Sequence, residues 1–306
     1  MNDRFLVTGA EGAIGRALAL HLERAGGDVY RASRDPEPTP RNVKLELSDL
    51  GKALDESGPL DRIAADGKLT AFLMAGITGF RVCESDPAGA RRINVESTRL
   101  LARHLLRKAA FVVFPSTSSV FSGTLGRSTE DRVPDPLSEY ARQKSETETL
   151  LRDELRTAPS QAGLAIVRLT KVVSAEDGLI SQWLTAMTGG SEIEAATDLI
   201  FSPISMDFVV RGLAVIGRLR QSGTFHLSGD RDVSYFQFAA ALARLLGKPE
   251  ALVRPVEIRD RLGPGLAPAR ATLDMAATAR VAGLAPQTVE EAAADLVLSA
   301  GRTLQL

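Results

Sequence analysis

The strongest constraint on this chain is a glycine-rich turn close to its N-terminal end. Gly9, Gly12 and Gly15 follow a short apolar run, residues 5–8, and lead into an amphipathic stretch, residues 13–25. Between a strand and a helix, such glycines allow a tight turn, close approach of the backbone to a pyrophosphate, and close packing of the helix on the strand. The free N–H groups at the start of the helix then face the phosphates. The turn predicts a dinucleotide site formed by Gly9, Gly12, Ala13, Ile14 and Gly15.

Short apolar runs alternate with longer amphipathic stretches through the first half of the chain, and this alternation predicts right-handed βαβ units with a mostly parallel sheet. The predicted strands span residues 5–8, 28–32, 43–47, 70–75, 111–115, 165–169 and 224–227. The predicted helices span residues 13–25, 88–109, 138–157, 204–220, 235–246 and 288–299.

After about residue 170 the pattern becomes mixed. We therefore predict an α/β fold, a doubly wound parallel sheet (Rossmann) with a small mixed C-terminal substrate lobe. The dinucleotide-binding domain is placed at residues 1–170 and the substrate-binding lobe at residues 171–306. This domain boundary is approximate because late strands can return to the sheet. The substrate is expected in the cleft between domain and lobe, at the carboxyl ends of the strands.

Composition excludes several other classes of protein. The 37 basic and 38 acidic residues give a formal charge of −1, so no global basic field exists to hold nucleic acid or an anionic membrane. The only cysteine is Cys83, which excludes a disulfide within the chain and makes a thiolate metal site unexpected. We predict no metal. The first residues lack a basic segment followed by an apolar one, so we expect no secretory signal and a cytoplasmic protein.

The end of the second predicted strand bears on the choice of cofactor. NAD sites usually place an acidic side chain there, which accepts from the ribose 2′-hydroxyl. This chain has Ser33 and Arg34 instead, and a hydroxyl with a guanidinium suits a 2′-phosphate. Asp35 follows directly, and its carboxylate makes the choice between NADP and NAD less distinct. Arg34 could also be a solvated loop residue. We predict that NADP(H) is preferred and that NAD(H) is possible.

Tyr140 and Lys144 have the i, i+4 spacing that puts both on one face of a helix. A phenol near its free pKa of about 10 exchanges protons poorly at neutral pH. A lysine ammonium and an oxidised nicotinamide would both favour the phenolate and lower that pKa. Tyr140 could then exchange a proton with a substrate oxygen while hydride moves to or from carbon. A chance pair on a surface helix is the alternative interpretation.

The turn Thr8-Gly9-Ala10-x-Gly12-x-x-Gly15 and the later Tyr-x-x-x-Lys together resemble the extended short-chain dehydrogenase/reductase (NAD-dependent epimerase/dehydratase) family. Residues 203–207 and 223–229 are similar to segments that are prominent in its dTDP-4-dehydrorhamnose reductase-like branch. The resemblance implies a catalytic set of Thr117, Tyr140 and Lys144, with Ser118 as the runner-up to Thr117. The further cofactor-binding residues that it implies are Asp49, Leu50, Ala75, Gly76, Asn94, Tyr140, Lys144 and Thr170.

The same resemblance implies an oxidoreductase that acts on a nucleotide-linked sugar. Dehydratases of the family carry an Asp-Glu pair after their threonine, whereas this chain has Ser118-Ser119, which argues against dehydration. We expect an NADP(H)-dependent reductase of a 4-keto group, with Tyr140 as the proton donor. A sugar-nucleotide epimerase would use the same three side chains. A third alternative is an NADP-binding regulatory subunit, as in the relative that regulates methionine adenosyltransferase.

Many relatives form dimers through two long helices, which match residues 94–109 and 138–157 here. We therefore expect a homodimer whose contact surface includes an apolar stripe. The candidate residues are Leu101, Leu105, Leu150 and Leu155, although these could equally face the sheet.

Overall fold

The computed structural model describes residues 3–55, 58–65, 68–259 and 270–304, which divide into two compact units. These units interleave along the chain, so the two-part division at residue 170 stays a prediction about domains. The first unit comprises Met1–Val120, Ser138–Arg168 and Val210–Phe225, and the second comprises Phe121–Leu137, Leu169–Val209 and His226–Leu306.

Strands and helices follow one another through the described residues of both units, and in the first unit they alternate as the sequence pattern predicts. The strands are β1 (Arg4–Thr8), β2 (Asp28–Ser33), β3 (Asn42–Lys44), β4 (Leu69–Leu73), β5 (Phe111–Thr117), β6 (Gly163–Leu169), β7 (Lys171–Val173), β8 (Ile193–Ala196), β9 (Ile200–Phe201), β10 (Pro203–Ser205), β11 (Gly223–Leu227), β12 (Val233–Ser234) and β13 (Val253–Val256). The helices are α1 (Ala13–Arg24), α2 (Gly51–Leu54), α3 (Pro59–Ala64), α4 (Phe80–Ser85), α5 (Pro87–Arg91), α6 (Thr98–Arg107), α7 (Glu139–Arg156), α8 (Gly178–Thr188), α9 (Met206–Leu219), α10 (Tyr235–Leu245), α11 (Ala276–Ala282) and α12 (Val289–Leu304).

Seven strands form the central sheet, in the order β11-β6-β5-β4-β1-β2-β3. The pairs β1–β2, β1–β4, β2–β3 and β4–β5 are parallel. This order confirms the predicted Rossmann-like sheet, including the late strand β11 that returns to it. The strand order reverses between β1 and β4. Ligands of open α/β sheets bind outside the carboxyl ends of the strands at such a switch point.

Packing against the sheet follows from the apolar faces of the helices. In α1 the buried residues are Gly15, Leu18, Ala19 and Leu22, which share one helical face. At the start of α7, the Ser138 hydroxyl accepts from the backbone N–H of Ala141, a capping arrangement that fixes where this helix begins. The first turn of the α7 helix is therefore held in a defined place next to β5.

The predicted helix over residues 88–109 is interrupted. It comprises α5, a π-helical turn over Arg92–Ser97, and α6. The side chain of Asn94 lies in the π-turn and bonds to the backbone of Ile77 rather than projecting into solvent. Hydrophobic spacing alone does not reveal such a turn because the apolar residues still recur at helical intervals.

Two other expectations are wrong in part. Ile204 and Ser205 belong to β10, which pairs with β7, and helix α9 begins only at Met206. Leu101 and Leu105 are fully buried in the hydrophobic core of the first unit, so they do not form an outward-facing stripe. The apolar face of an amphipathic helix normally packs against the sheet of its own domain, so these leucines are covered within the unit. The homodimer itself stays a prediction.

The second unit is built from three two-stranded pairings, β10–β7, β12–β9 and β13–β8, together with helices. Its core includes the large side chains of Trp183, Phe201, Phe238 and Leu296. Phe201 lies against Phe238, with ring centroids 5.4 Å apart. In the described ranges of the chain, no helix has both the length and the apolar character needed to cross a membrane.

Replacing Gly15 by alanine should destabilise the protein. A Cβ there would lie 2.2 Å from the carbonyl oxygen of Gly9, and neither backbone can move without opening the turn. We expect a loss of about 1–3 kcal/mol in the free energy of unfolding, the usual cost of overpacking. Gly178→Ala is the control because a Cβ at this helical position meets no atom within 4 Å. Urea unfolding of both variants measures the difference, and equal midpoints would contradict the close packing of the turn.

Candidate active site

The glycine turn is held against the segment that follows β4. The Thr8 hydroxyl accepts from the backbone N–H of Ala75 at 3.1 Å, which ties the end of β1 to that segment. Gly9 has φ +60°, and a Cβ there would lie 2.9 Å from the Cα of Ala75. Only glycine allows both this conformation and this approach. The contact places the turn at the switch point of the sheet.

A cavity of about 420 Å³ opens at this point. Six residues predicted from the sequence to bind the cofactor line it, together with Glu11, which the sequence analysis did not single out. The six are Gly9, Gly12, Ser33, Arg34, Ala75 and Gly76. Asp49 and Leu50 are not among the lining residues. The Asp49 carboxylate accepts from the N–H of Gly51, and Leu50 packs in the hydrophobic core.

The cavity fits a dinucleotide by shape and by charge. A Cβ on Gly12 would lie 3.3 Å from the Gly9 carbonyl oxygen, and one on Gly76 would lie 3.1 Å from Asn94 Oδ1, so side chains at either position would crowd the walls of the cavity. Helix α1 begins directly after Gly12 with Ala13 and Ile14, and no acidic residue lies in its first turn. Its N-terminal end therefore presents N–H groups and partial positive charge toward an anion.

Asn94 acts within the protein rather than at the cavity surface. Its Oδ1 accepts from the N–H of Ile77 at 2.8 Å, and its Nδ2 donates to the Ile77 carbonyl at 2.9 Å and to Gln143 Oε1 at 2.9 Å. The side chain is buried, and these bonds use both of its ends. Asn94 therefore shapes the Gly76–Ile77 wall of the cavity and joins it to helix α7.

Tyr140 and Lys144 both lie on the buried face of α7. The Lys144 ammonium donates to the Pro115 carbonyl at 2.9 Å and stands 4.5 Å from the centroid of the Phe114 ring. It is 6.0 Å from the centroid of the Tyr140 ring, whose edge-on neighbour is Phe80 at 5.1 Å. Lys144 thus reaches the carboxyl end of β5, whereas Tyr140 packs with Phe80 and Cys83. Both side chains are buried, which a chance pair on a surface helix would not be.

Burial shifts both pKa values away from the charged forms. Desolvation lowers the pKa of Lys144 to about 8, although the charge of Glu148 opposes this shift. Desolvation also raises the pKa of Tyr140 above its ordinary value. The expected lowering of the Tyr140 pKa by Lys144 is therefore not found in the protein alone, where desolvation and the charge of Cys83 both raise it. At neutral pH the phenol is protonated.

Thr117 is the last residue of β5, and its hydroxyl oxygen accepts from the N–H of Ser119 at 3.1 Å. A hydroxyl that accepts one bond can still donate its hydrogen to another oxygen. Ser118 begins the short 3₁₀ turn that follows. Thr170 belongs to the second unit, where its N–H donates to the Leu227 carbonyl at 3.1 Å.

A buried ion pair lies one helical turn beyond Lys144. The Glu148 carboxylate is fully buried and accepts from Arg168 through two bonds, at 3.0 and 2.7 Å. It also accepts from the Ser116 hydroxyl at 2.6 Å. Ser116 precedes Thr117, so this carboxylate fixes the end of β5 relative to α7. Glu148 was not among the residues predicted from the sequence, although its spacing from Lys144 repeats that of Tyr140 and Lys144.

A family model described as the RmlD substrate binding domain matches residues 3–301. The chain belongs to this family. It is an extended short-chain dehydrogenase/reductase of the RmlD-like branch, which confirms the resemblance found in the sequence.

Two curated relatives represent different kinds of protein. The dTDP-4-keto-6-deoxy-D-glucose reductase of Streptomyces niveus is 28% identical over 291 residues, which cover 94% of this chain and 93% of that protein. The methionine adenosyltransferase 2 subunit beta of Bos taurus is 26% identical over 270 residues, which cover 83% of this chain and 75% of that protein.

Solved structures show the same fold. MoeE5 in complex with UDP-glucuronic acid and NAD matches with a TM-score of 0.79 and 24% identity, covering 99% of this chain and all of that one. The dTDP-4-dehydrorhamnose reductase of Bacillus anthracis in complex with NADP matches with a TM-score of 0.77 and 19% identity, covering 97% and 98% of the two chains.

Replacing Arg168 by methionine should destabilise this RmlD-family protein in a pH-dependent way. The Glu148 carboxylate would stay buried without its bidentate partner, at a cost of about 3–5 kcal/mol near neutral pH. In the parent, Arg168 counters desolvation and holds the pKa of Glu148 below its ordinary value, so the pair stabilises above that pKa and is lost as pH falls. Both pH 5 and pH 7 lie above this pKa, so the parent pair is intact at each. Without Arg168, desolvation would raise the pKa of Glu148, and protonation at the lower pH would relieve part of the cost, so the variant should lose less relative to the parent at pH 5 than at pH 7.

Urea unfolding at the two pH values measures this difference. Arg156→Met is the matched control, because Arg156 pairs with Asp153 on the surface and should change the unfolding free energy by less than about 1 kcal/mol. An Arg168→Met variant as stable as this control at pH 7 would contradict the role given to the buried pair.

Proposed function

We propose that this protein is an NADP(H)-dependent oxidoreductase that reduces the 4-keto group of a nucleotide-linked sugar. The observation that carries the proposal is the buried Tyr140–Lys144 face of α7, docked on the carboxyl end of β5 and accompanied by the glycine cradle in the same unit. The similarity to the S. niveus reductase over nearly the whole of both chains supports the choice of substrate class.

The reduction adds a hydride to the carbonyl carbon and a proton to its oxygen. When bound, the reduced nicotinamide supplies the hydride. The raised pKa of Tyr140 keeps its phenol protonated at neutral pH, and this proton passes to the substrate oxygen. Thr117 donates a hydrogen bond to the same oxygen and so stabilises the charge that develops there. The Lys144 ammonium stabilises the phenolate that remains and, by family resemblance, holds the nicotinamide ribose.

Two alternatives use the same residues or the same fold. An epimerase would oxidise and re-reduce one carbon with the cofactor retained. A regulatory subunit that binds NADP and a partner enzyme is favoured by the similarity to methionine adenosyltransferase 2 subunit beta. The complete set of Thr117, Tyr140 and Lys144 favours an enzyme. We propose further that the protein is a cytoplasmic homodimer, which light scattering at micromolar concentration would test.

A turnover screen separates these functions. NADPH is mixed with the protein and a panel of nucleotide-linked 4-keto sugars, and both NADPH absorbance and sugar products are followed. Net oxidation of NADPH supports the reductase. Interconversion of sugars without net oxidation would replace it by the epimerase, and cofactor binding without either change would favour the subunit.

Arg34 should determine the preference for NADPH. Its guanidinium lines the cavity beside Ser33, and a charge-assisted bond to a 2′-phosphate is worth about 1.5–3 kcal/mol. NADPH should therefore bind roughly ten- to a hundredfold more tightly than NADH, and Arg34→Ala should remove most of the difference. Calorimetry with both cofactors measures this. Equal affinities in the parent protein would contradict the preference.

Three substitutions at the catalytic set should have distinct effects. Tyr140→Phe removes only the proton donor, so turnover should fall by about 10²–10⁴ with NADPH affinity retained. Lys144→Ala should lower both turnover and NADPH affinity. Thr117→Val should lower turnover alone, because it loses a bond to the reacting oxygen. Steady-state kinetics and calorimetry make the comparison, and a Tyr140→Phe variant with parental turnover would exclude this mechanism.

A further inference from the structure

A carboxylate occupies the part of the cavity where the 2′-substituent of the cofactor ribose is expected. The Ser33 hydroxyl donates to Glu11 Oε1 at 2.9 Å, and Glu11, Ser33 and Arg34 line the same cavity. The acid is supplied by the glycine turn rather than by the end of β2. The strand register explains the contact: Thr8, the last residue of β1, pairs with Ala32, so Ser33 lies beside the turn that follows β1.

This contact opposes a 2′-phosphate in two ways. A serine hydroxyl has one hydrogen to donate, and here that hydrogen is given to Glu11 rather than to a ligand. A phosphate placed beside the Glu11 carboxylate would also meet a like charge. A 2′-hydroxyl behaves differently, because it can donate to the carboxylate as it does in NAD sites.

The neighbouring charges do not cancel this effect. Arg31 also faces this side of β2, but its guanidinium makes two bonds to Glu23, at 2.9 and 2.7 Å. Arg34 lines the cavity and attracts a phosphate. Glu37 lines an adjoining cavity together with Glu11 and Ser33. Glu46 also lines the cavity, and its carboxylate accepts from the Ser48 hydroxyl at 2.8 Å. Arg34 therefore favours a 2′-phosphate, and Glu11, the carboxylate that contacts Ser33, disfavours it.

We propose that Glu11 is a specificity-determining residue, which limits the preference of this site for NADP(H) and binds the ribose 2′-hydroxyl of NAD(H). The inference rests on the proposed function only in that a nicotinamide dinucleotide occupies the cavity. Arg34 and Glu11 then act in opposition, and the ratio of the two cofactor affinities reports the balance between them.

The test is calorimetric titration of the full-length Glu11→Gln variant with NADPH and with NADH, which needs no sugar substrate. Removing the negative charge should tighten NADPH binding by about tenfold and leave NADH binding equal or a few-fold weaker. Because the effect is Coulombic, the gain for NADPH should shrink as salt rises from 50 to about 500 mM. Glu11 is exposed, and Glu11→Ala provides a second variant that removes the charge.

Glu37→Gln is the matched control, since it removes one negative charge close by without touching the Ser33 contact. A ratio of NADPH to NADH affinity that stays within twofold of the parent in both Glu11 variants would overturn the proposal. A shift of equal size in Glu37→Gln would also overturn it, because the effect would then come from net charge. Cofactor binding with the expected shift, but no turnover of any keto sugar, would support the role of Glu11 while the proposed reductase fails.

Discussion

The cavity at the glycine turn depends on the close approach of two backbone segments, the turn after β1 and the segment after β4. Thr8 bonds to the N–H of Ala75, and the Gly9 backbone packs directly on Ala75. No side chain could be inserted there without separating the two strands. The cavity exists because the sheet order reverses at this pair of strands and leaves their carboxyl ends uncovered.

A second constraint is the charge buried along helix α7. Tyr140, Lys144 and Glu148 follow one another at intervals of four residues on the buried face. The Glu148 carboxylate accepts hydrogen bonds from Arg168 and Ser116. Its negative charge also opposes the lowering of the Lys144 pKa by desolvation. The same face thus carries the proposed proton donor at one end and a buried ion pair at the other.

The alternation of strands and helices and the glycine turn were sufficient to predict the sheet and the cavity, because both are set by local spacing. The contact between Ser33 and Glu11 joins the last residue of β2 to the turn that follows β1, and it becomes apparent only from the register of these strands. The direction of the Tyr140 pKa shift depends on burial, which a spacing of four residues does not reveal. Leu101 is a further example, because an apolar side chain on a helix can pack against a partner subunit or in the core, and the sequence alone does not distinguish the two.

The π-helical turn over Arg92–Ser97 contains a residue that the helix does not need for its own packing. A π-turn accommodates one more residue than the α-helical turn it replaces. Deleting one residue there would therefore restore regular α-helix and leave Leu101 and Leu105 on the face that packs in the core. Asn94 would instead lose the position from which it bonds to Ile77. The extra residue thus serves the wall of the cavity rather than the core of the unit.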